Sequence, residues 1–126
     1  MVNSHTVVFG HELDGIWFTA NSHKERWDRT RRVREARRTS RIKFHACPRY
    51  KKATLTIKVI SRTSRRFDIL NPADIIKPLI DGAIDAGILP DDDAKHLISA
   101  TFIGEKQKGQ KGKPKHEIIF TFTKIG

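Results

Sequence analysis

At 126 residues the chain is of one-domain size, long enough to hide roughly two-thirds of its unfolded surface around a single core. It is 37% hydrophobic and 31% charged, and no window approaches the roughly 20 apolar residues that span a bilayer, so no membrane association is expected. The net charge of +11 favours polyanionic partners such as DNA or RNA.

Met1 to Gly10 lacks a basic stretch followed by an apolar one, and the single Cys47 argues against a disulfide framework, so a cytoplasmic protein is expected. Cys47 itself reads as a small buried hydrophobe. Thr6 to Leu13 reads as a first strand, and Asp14-Gly15 as a tight turn leading to a second apolar run, Ile16 to Ala20. Asn21 or Ser22 can cap the basic segment that follows, Lys24 to Lys43, which lacks Gly and Pro and is rich in helix-forming Arg. Between Lys24 and Lys52 thirteen bases face three acids, a net +10, so much of this helix must meet water or nucleic acid. Trp17 and Trp27 read as core or interface residues rather than as platforms for bases. Ala53 to Ile60 alternates, with Leu55, Ile57 and Val59 on one face, and predicts a half-buried strand.

After a polar connection, Ser61 to Arg66, the spacing predicts a helix over Pro72 to Ala86. Asn71 is its expected N-cap, Pro72 its first residue and Gly87 its stop. Ile75, Ile76, Leu79, Ile80, Ala83 and Ile84 form its apolar face, and Asp74, Lys77, Asp81 and Asp85 stack opposite; Pro78 predicts a kink. Asp91 to Asp93 follow in a loop. Leu97 to Ile103 and Glu117 to Thr123 read as two further strands. Gly104 to His116, carrying Lys106, Lys108, Lys111, Lys113 and Lys115, reads as a flexible basic loop between them. The whole predicts an α/β fold: one compact domain with a small mixed sheet and helices.

Between Asp68 and Lys95 the charge reverses to −5. Asp68 is expected at a strand end, Lys77 and Asp81 on one helix face, and Asp91 and Asp92 in the following loop, three pieces able to converge. Carboxylates gathered there need a cation. Mg²⁺ prefers oxygen ligands and usually takes one or two protein carboxylates, and a neighbouring lysine then meets phosphate. The quieter explanations are a solvated acidic helix face, an ordinary N-cap at Asn71 and a solvated turn at Asp91 to Asp93. The six histidines show no paired metal-ligand spacing.

Asp68-Ile-Leu-Asn71, Lys77, Asp81-Gly82-Ala83, Asp85-Ala86-Gly87-Ile88-Leu89 and Asp91-Asp92 together resemble the signature of RusA-like Holliday junction resolvases, often carried by phages and prophages. Thr19-Ala20-Asn21 before a Trp/Arg-rich helix resembles that family's N-terminal part. The resemblance implies a homodimer that cuts four-way DNA junctions during recombination and repair, with Mg²⁺, or Mn²⁺ in its place, as cofactor. It further implies Asp68, Asp91 and Asp92 as metal carboxylates, Asp92 ahead of Asp91, and Lys77 as the catalytic lysine beside Asp68 and Asp92. Asn71 and Asp81 would support the site. Where the best-known members carry a second Asp before the Asn, this chain has Leu70, so Asp74 becomes a substitute and reduced turnover an expectation. Arg31, Arg34, Arg38 and Arg41, with Lys108, Lys111 and Lys113, are the expected DNA contacts, reading backbone rather than bases. The rival expectations are a catalytically impaired protein that binds branched DNA or RNA, and a nuclease for flaps or forks.

Overall fold

The alternating segments pair into one four-stranded sheet in the order β1-β4-β2-β3. The computed structural model describes residues 3–19 and 25–126. The expected cap at Asn21 or Ser22, the end of the apolar run at Ala20 and the start of the basic segment at Lys24 lie outside them. The strands are β1 (Ser4–Phe9), β2 (Ala53–Ser61), β3 (Leu97–Lys106) and β4 (His116–Lys124), and the helices are α1 (Arg26–Lys43) and α2 (Ala73–Ala86). β4 runs antiparallel to both β1 and β2, whereas β2 and β3 are parallel, as the crossover through α2 requires. The domain is therefore α/β with a mixed sheet.

Register explains the core. Val7, Phe120, Ile57 and Phe102 align across the four strands on one face; Thr6, Thr121, Thr56 and Thr101 align on the other. The first face is buried together with Ile75, Ile76, Leu79, Ile80 and Ala83 of α2 and Ala36 of α1, so the helices cover that side. Phe44, just past α1, meets the rings of Phe9, Phe120 and Phe122. Cys47 packs half-buried at its margin, and burial pushes its thiol pKa up. Trp27 is 70% exposed, which leaves the interface half of the expected core-or-interface role and removes the core half; α1 buries only Ala36 and Ser40 fully, and its other positions face outward or sideways.

Three further expectations change. The first strand stops at Phe9, because His11 to Leu13 form a 3-10 turn and Ile16 to Thr19 run on without strand pairing. Asp68 lies in the loop between β2 and α2 rather than at a strand end, since β2 ends at Ser61. Asn71 is not the N-cap: Pro72 occupies that position, and the Asn71 amide is drawn back into a turn with the Asp68 carbonyl. Gly87 ends α2 as expected, in the left-handed conformation with φ of 103°.

Candidate functional site

The acidic face of α2 does not simply face water. It meets α1. A Cβ on Gly82 would overlap the Arg37 carbonyl and approach Ser40 Cβ to 2.6 Å, so the missing side chain lets the helices touch there. The Ser40 hydroxyl donates to the Leu79 carbonyl at the same crossing. Arg29 donates to Asp74 at 3.0 Å, and Arg37 grips Asp85 with two bonds of 2.6 and 2.9 Å. That guanidinium holds the Asp85 carboxyl below the usual range. Part of the acidic cluster thus binds the basic helix, a use the charge counts alone do not reveal. Asp74, the expected substitute carboxylate, is paired with Arg29 through one oxygen.

Asp81 and Asp92 have a different partner. Lys77 Nζ donates to Asp81 Oδ1 at 2.7 Å and also to Asp92 Oδ2, so one ammonium joins a helix carboxylate to a loop carboxylate. These bonds, to Asp81 first and then Asp92, raise the Lys77 pKa, and Lys77 in turn lowers that of Asp92. The lysine is consequently a fixed cation at neutral pH. Asp91 stands beside this group, its carboxylate accepting the Asp92 amide at 2.8 Å. The side chains of Lys77 and Asp92 are 59% and 32% exposed, so solvent and a large substrate reach both.

Asp68 and Asn71 lie in the loop that leads into α2. They line a cleft with Trp17, Arg65, Arg66 and His116, whose walls include none of Lys77, Asp91 and Asp92. The Asp68 carboxylate accepts the Leu70 amide at 3.0 Å, a local turn that orients it. Gly104 fixes the loop, because a Cβ there would meet the Phe67 ring at 2.8 Å and Ile69 at 3.3 Å. Leu70 is 60% exposed. Among the described residues no three His, Cys, Asp or Glu side chains gather as a metal-holding group. Asp81 and Asp92 converge on the Lys77 ammonium with Asp91 adjacent, so these carboxylates are the ones on this surface whose oxygens could meet a hard cation.

The expected DNA contacts divide as well. Arg34, Arg38 and Arg41, spaced four and three, form one exposed stripe along α1 and take no part in ion pairs among the described residues. Arg31 shares that side but is bound to Asp28 at 3.0 Å. Lys108, Lys111 and Lys113 are exposed. Two contacts meet their loop: a His11 ring nitrogen lies 3.0 Å from the Gly112 carbonyl, and Arg62 donates to that of Pro114 at 3.0 Å. Arg62, read in the sequence as part of a polar connection, is 8% exposed and also paired with Glu117. Only the distant Glu117 could have signalled this, and nothing in the sequence links the two.

No protein-family model and no curated protein matches the chain. Among solved structures it is similar to hydrogenase maturation protein HypE at 9% identity, covering 100% of this chain and 33% of that one. The chain thus spans about a third of that structure, and a TM-score of 0.36 carries no argument about function. No helix among the described residues is long and apolar enough to cross a membrane.

Proposed function

We propose that the protein is a RusA-like, Mg²⁺-dependent endodeoxyribonuclease that hydrolyses a phosphodiester at a four-way junction and works as a homodimer in the cytoplasm. The observation that carries this reading is Lys77 held between Asp81 and Asp92 on a chain of net charge +11. A lysine whose pKa is raised is a poor base but a dependable electrostatic group, so its role is to stabilise charge on the scissile phosphate. Asp81 orients it. Asp92 stays ionised because Lys77 favours its charged form, and with Asp91 it would hold the metal. When bound, Mg²⁺ supplies an acidified water and neutralises phosphate charge. The Arg34–Arg38–Arg41 stripe offers bidentate phosphate contacts. Two symmetry-related sites would supply the paired cuts that resolving a junction requires.

One observation favours a second reading, a protein that binds branched DNA or RNA without cutting it. Leu70, 60% exposed, stands where the RusA-like pattern has a carboxylate. A synthetic four-way junction incubated with Mg²⁺ or Mn²⁺ decides between them. Paired nicks are expected from the wild type. Lys77→Ala and Asp92→Asn are expected to lose cleavage by about 10²–10³-fold while still shifting the junction in a gel. Full activity in both variants would remove the site, and binding without nicks across metals and pH would establish the second reading.

A further inference from the structure

A cleft of about 850 Å³ opens where the chain leaves the carboxyl end of β2 and turns into α2. That is where α/β sheets commonly receive ligands. Its wall holds an aromatic pair, the Trp17 indole stacked on the His116 ring at 3.8 Å and 5°. Trp17 is fixed before any ligand arrives: its amide donates to the Leu13 carbonyl at 2.9 Å, and its own carbonyl accepts from Arg32 at 2.9 Å. Burial lowers the His116 pKa, so at neutral pH the pair is a neutral stack. Around it stand Arg65, Arg66 and Lys115, all exposed, and none of them forms an ion pair among the described residues. Arg62 contributes no free charge, being already held by Glu117 and Gln107. Asp68 opposes these three cations with a single negative charge.

We propose that this cleft binds an unpaired stretch of nucleic acid, one base lying against the Trp17–His116 pair and the flanking phosphates on Arg65, Arg66 and Lys115. The volume lies within the range of small-ligand sites, room for a nucleotide or two rather than a duplex. A paired base hides its faces in the helical stack, so only an unpaired one presents a face to Trp17. Cations without carboxylate partners select the phosphates. The cleft thereby specifies which part of a branched substrate it takes: the unstacked strand at the branch point. Duplex arms fall to the α1 arginines.

This inference rests on the nucleic-acid reading above but not on cleavage, and its test contains no metal. Fluorescence anisotropy in EDTA compares a short oligothymidylate with a blunt duplex carrying as many phosphates. Trp17→Ala is expected to weaken the oligonucleotide about 5- to 100-fold and leave the duplex unchanged, with Trp17→Phe retaining most of the affinity. Arg65→Ser with Arg66→Ser, exposed positions that leave the fold alone, is expected to lower the oligonucleotide's salt slope by about 1.4. Unchanged oligonucleotide affinity in Trp17→Ala, or an equal loss for the duplex, overturns the proposal. Should Trp17→Ala unfold by circular dichroism, the arginine pair decides, and an unaltered slope overturns it equally. A protein that passes these tests yet never nicks a junction refutes the nuclease and keeps the cleft. One that cuts junctions while the variants behave as wild type refutes the cleft alone.

Discussion

Four of the aspartates along α2 and its following loop fall into two sets that no count of charges distinguishes. Asp74 and Asp85 are met by arginines from α1, and Asp85 receives both arms of the Arg37 fork. Asp81, between them on the same face, is met instead by Lys77 of its own helix, which also reaches Asp92. A guanidinium fork fits a carboxylate in one planar geometry and holds it; an ammonium on a flexible stem is a point charge that phosphate can share. The first set therefore fastens two helices. The second keeps a cation and its counter-charges together at an accessible surface.

The sharpest way to break this division is to neutralise one member of each set. Asp81→Asn removes the carboxylate that orients Lys77, and junction cleavage is expected to fall about 10- to 100-fold with little change in melting temperature. Asp74→Asn is expected to do the reverse in kind: a small loss of stability and cleavage within about twofold of wild type, since an exposed ion pair contributes at most about 1 kcal/mol. Equal cleavage defects in single-turnover assays of the two variants would merge the sets into one. If instead Asp74→Asn alone lost activity, Asp74 would replace Asp81 as the supporting carboxylate.

The next effect concerns the contact that makes the first set possible. Gly82→Ala puts a methyl group against the Arg37 carbonyl, with the Arg41 amide nitrogen 2.9 Å away, and both obstacles are backbone. The helices must separate. Overpacking of this kind costs about 1–3 kcal/mol, to be read as a lower urea midpoint at unchanged slope. Lys77 and Asp81 lie within α2 itself, so residual cleavage by the folded fraction is expected to survive. A midpoint equal to wild type would mean that the crossing relaxes freely and that Gly82 is no structural requirement.

How much of this was readable beforehand follows from the range of each interaction. β2 and α2 declared themselves through local periodicity and α1 through its Arg-rich composition without Gly or Pro, and the apolar face of α2 was legible residue by residue. Lys77 with Asp81 was legible too, because four residues on a helix is a contact in any fold. Arg29–Asp74, Arg37–Asp85 and Arg62–Glu117 were not, since each joins residues at least 45 apart whose meeting depends on how whole elements pack. The same holds for the placement of Asp68: Phe67 and Ile69 lie over a glycine in β3, and that packing sets where the carboxylate points. The Trp17–His116 stack needed the long return of β4 alongside β2, which no local pattern encodes.

The smallest predicted effect tests the fastening set through pH. Asp85 has a folded-state pKa below its usual value because Arg37 donates to it, so its contribution is present above the unfolded carboxylate pKa of about 3.9 and disappears as pH falls through the folded value. Asp85→Asn deletes that contribution. The pair is largely solvated, so the difference from wild type at pH 6–7 is expected below about 1 kcal/mol. Chemical denaturation of both proteins from pH 7 to pH 3 is expected to show two curves that run parallel and converge below about pH 4. A gap that persists undiminished at pH 3 would mean that the amide costs stability by packing rather than by charge. Arg37 would then hold Asp85 for geometry alone, and the contrast with the Lys77 set would rest on shape instead of electrostatics.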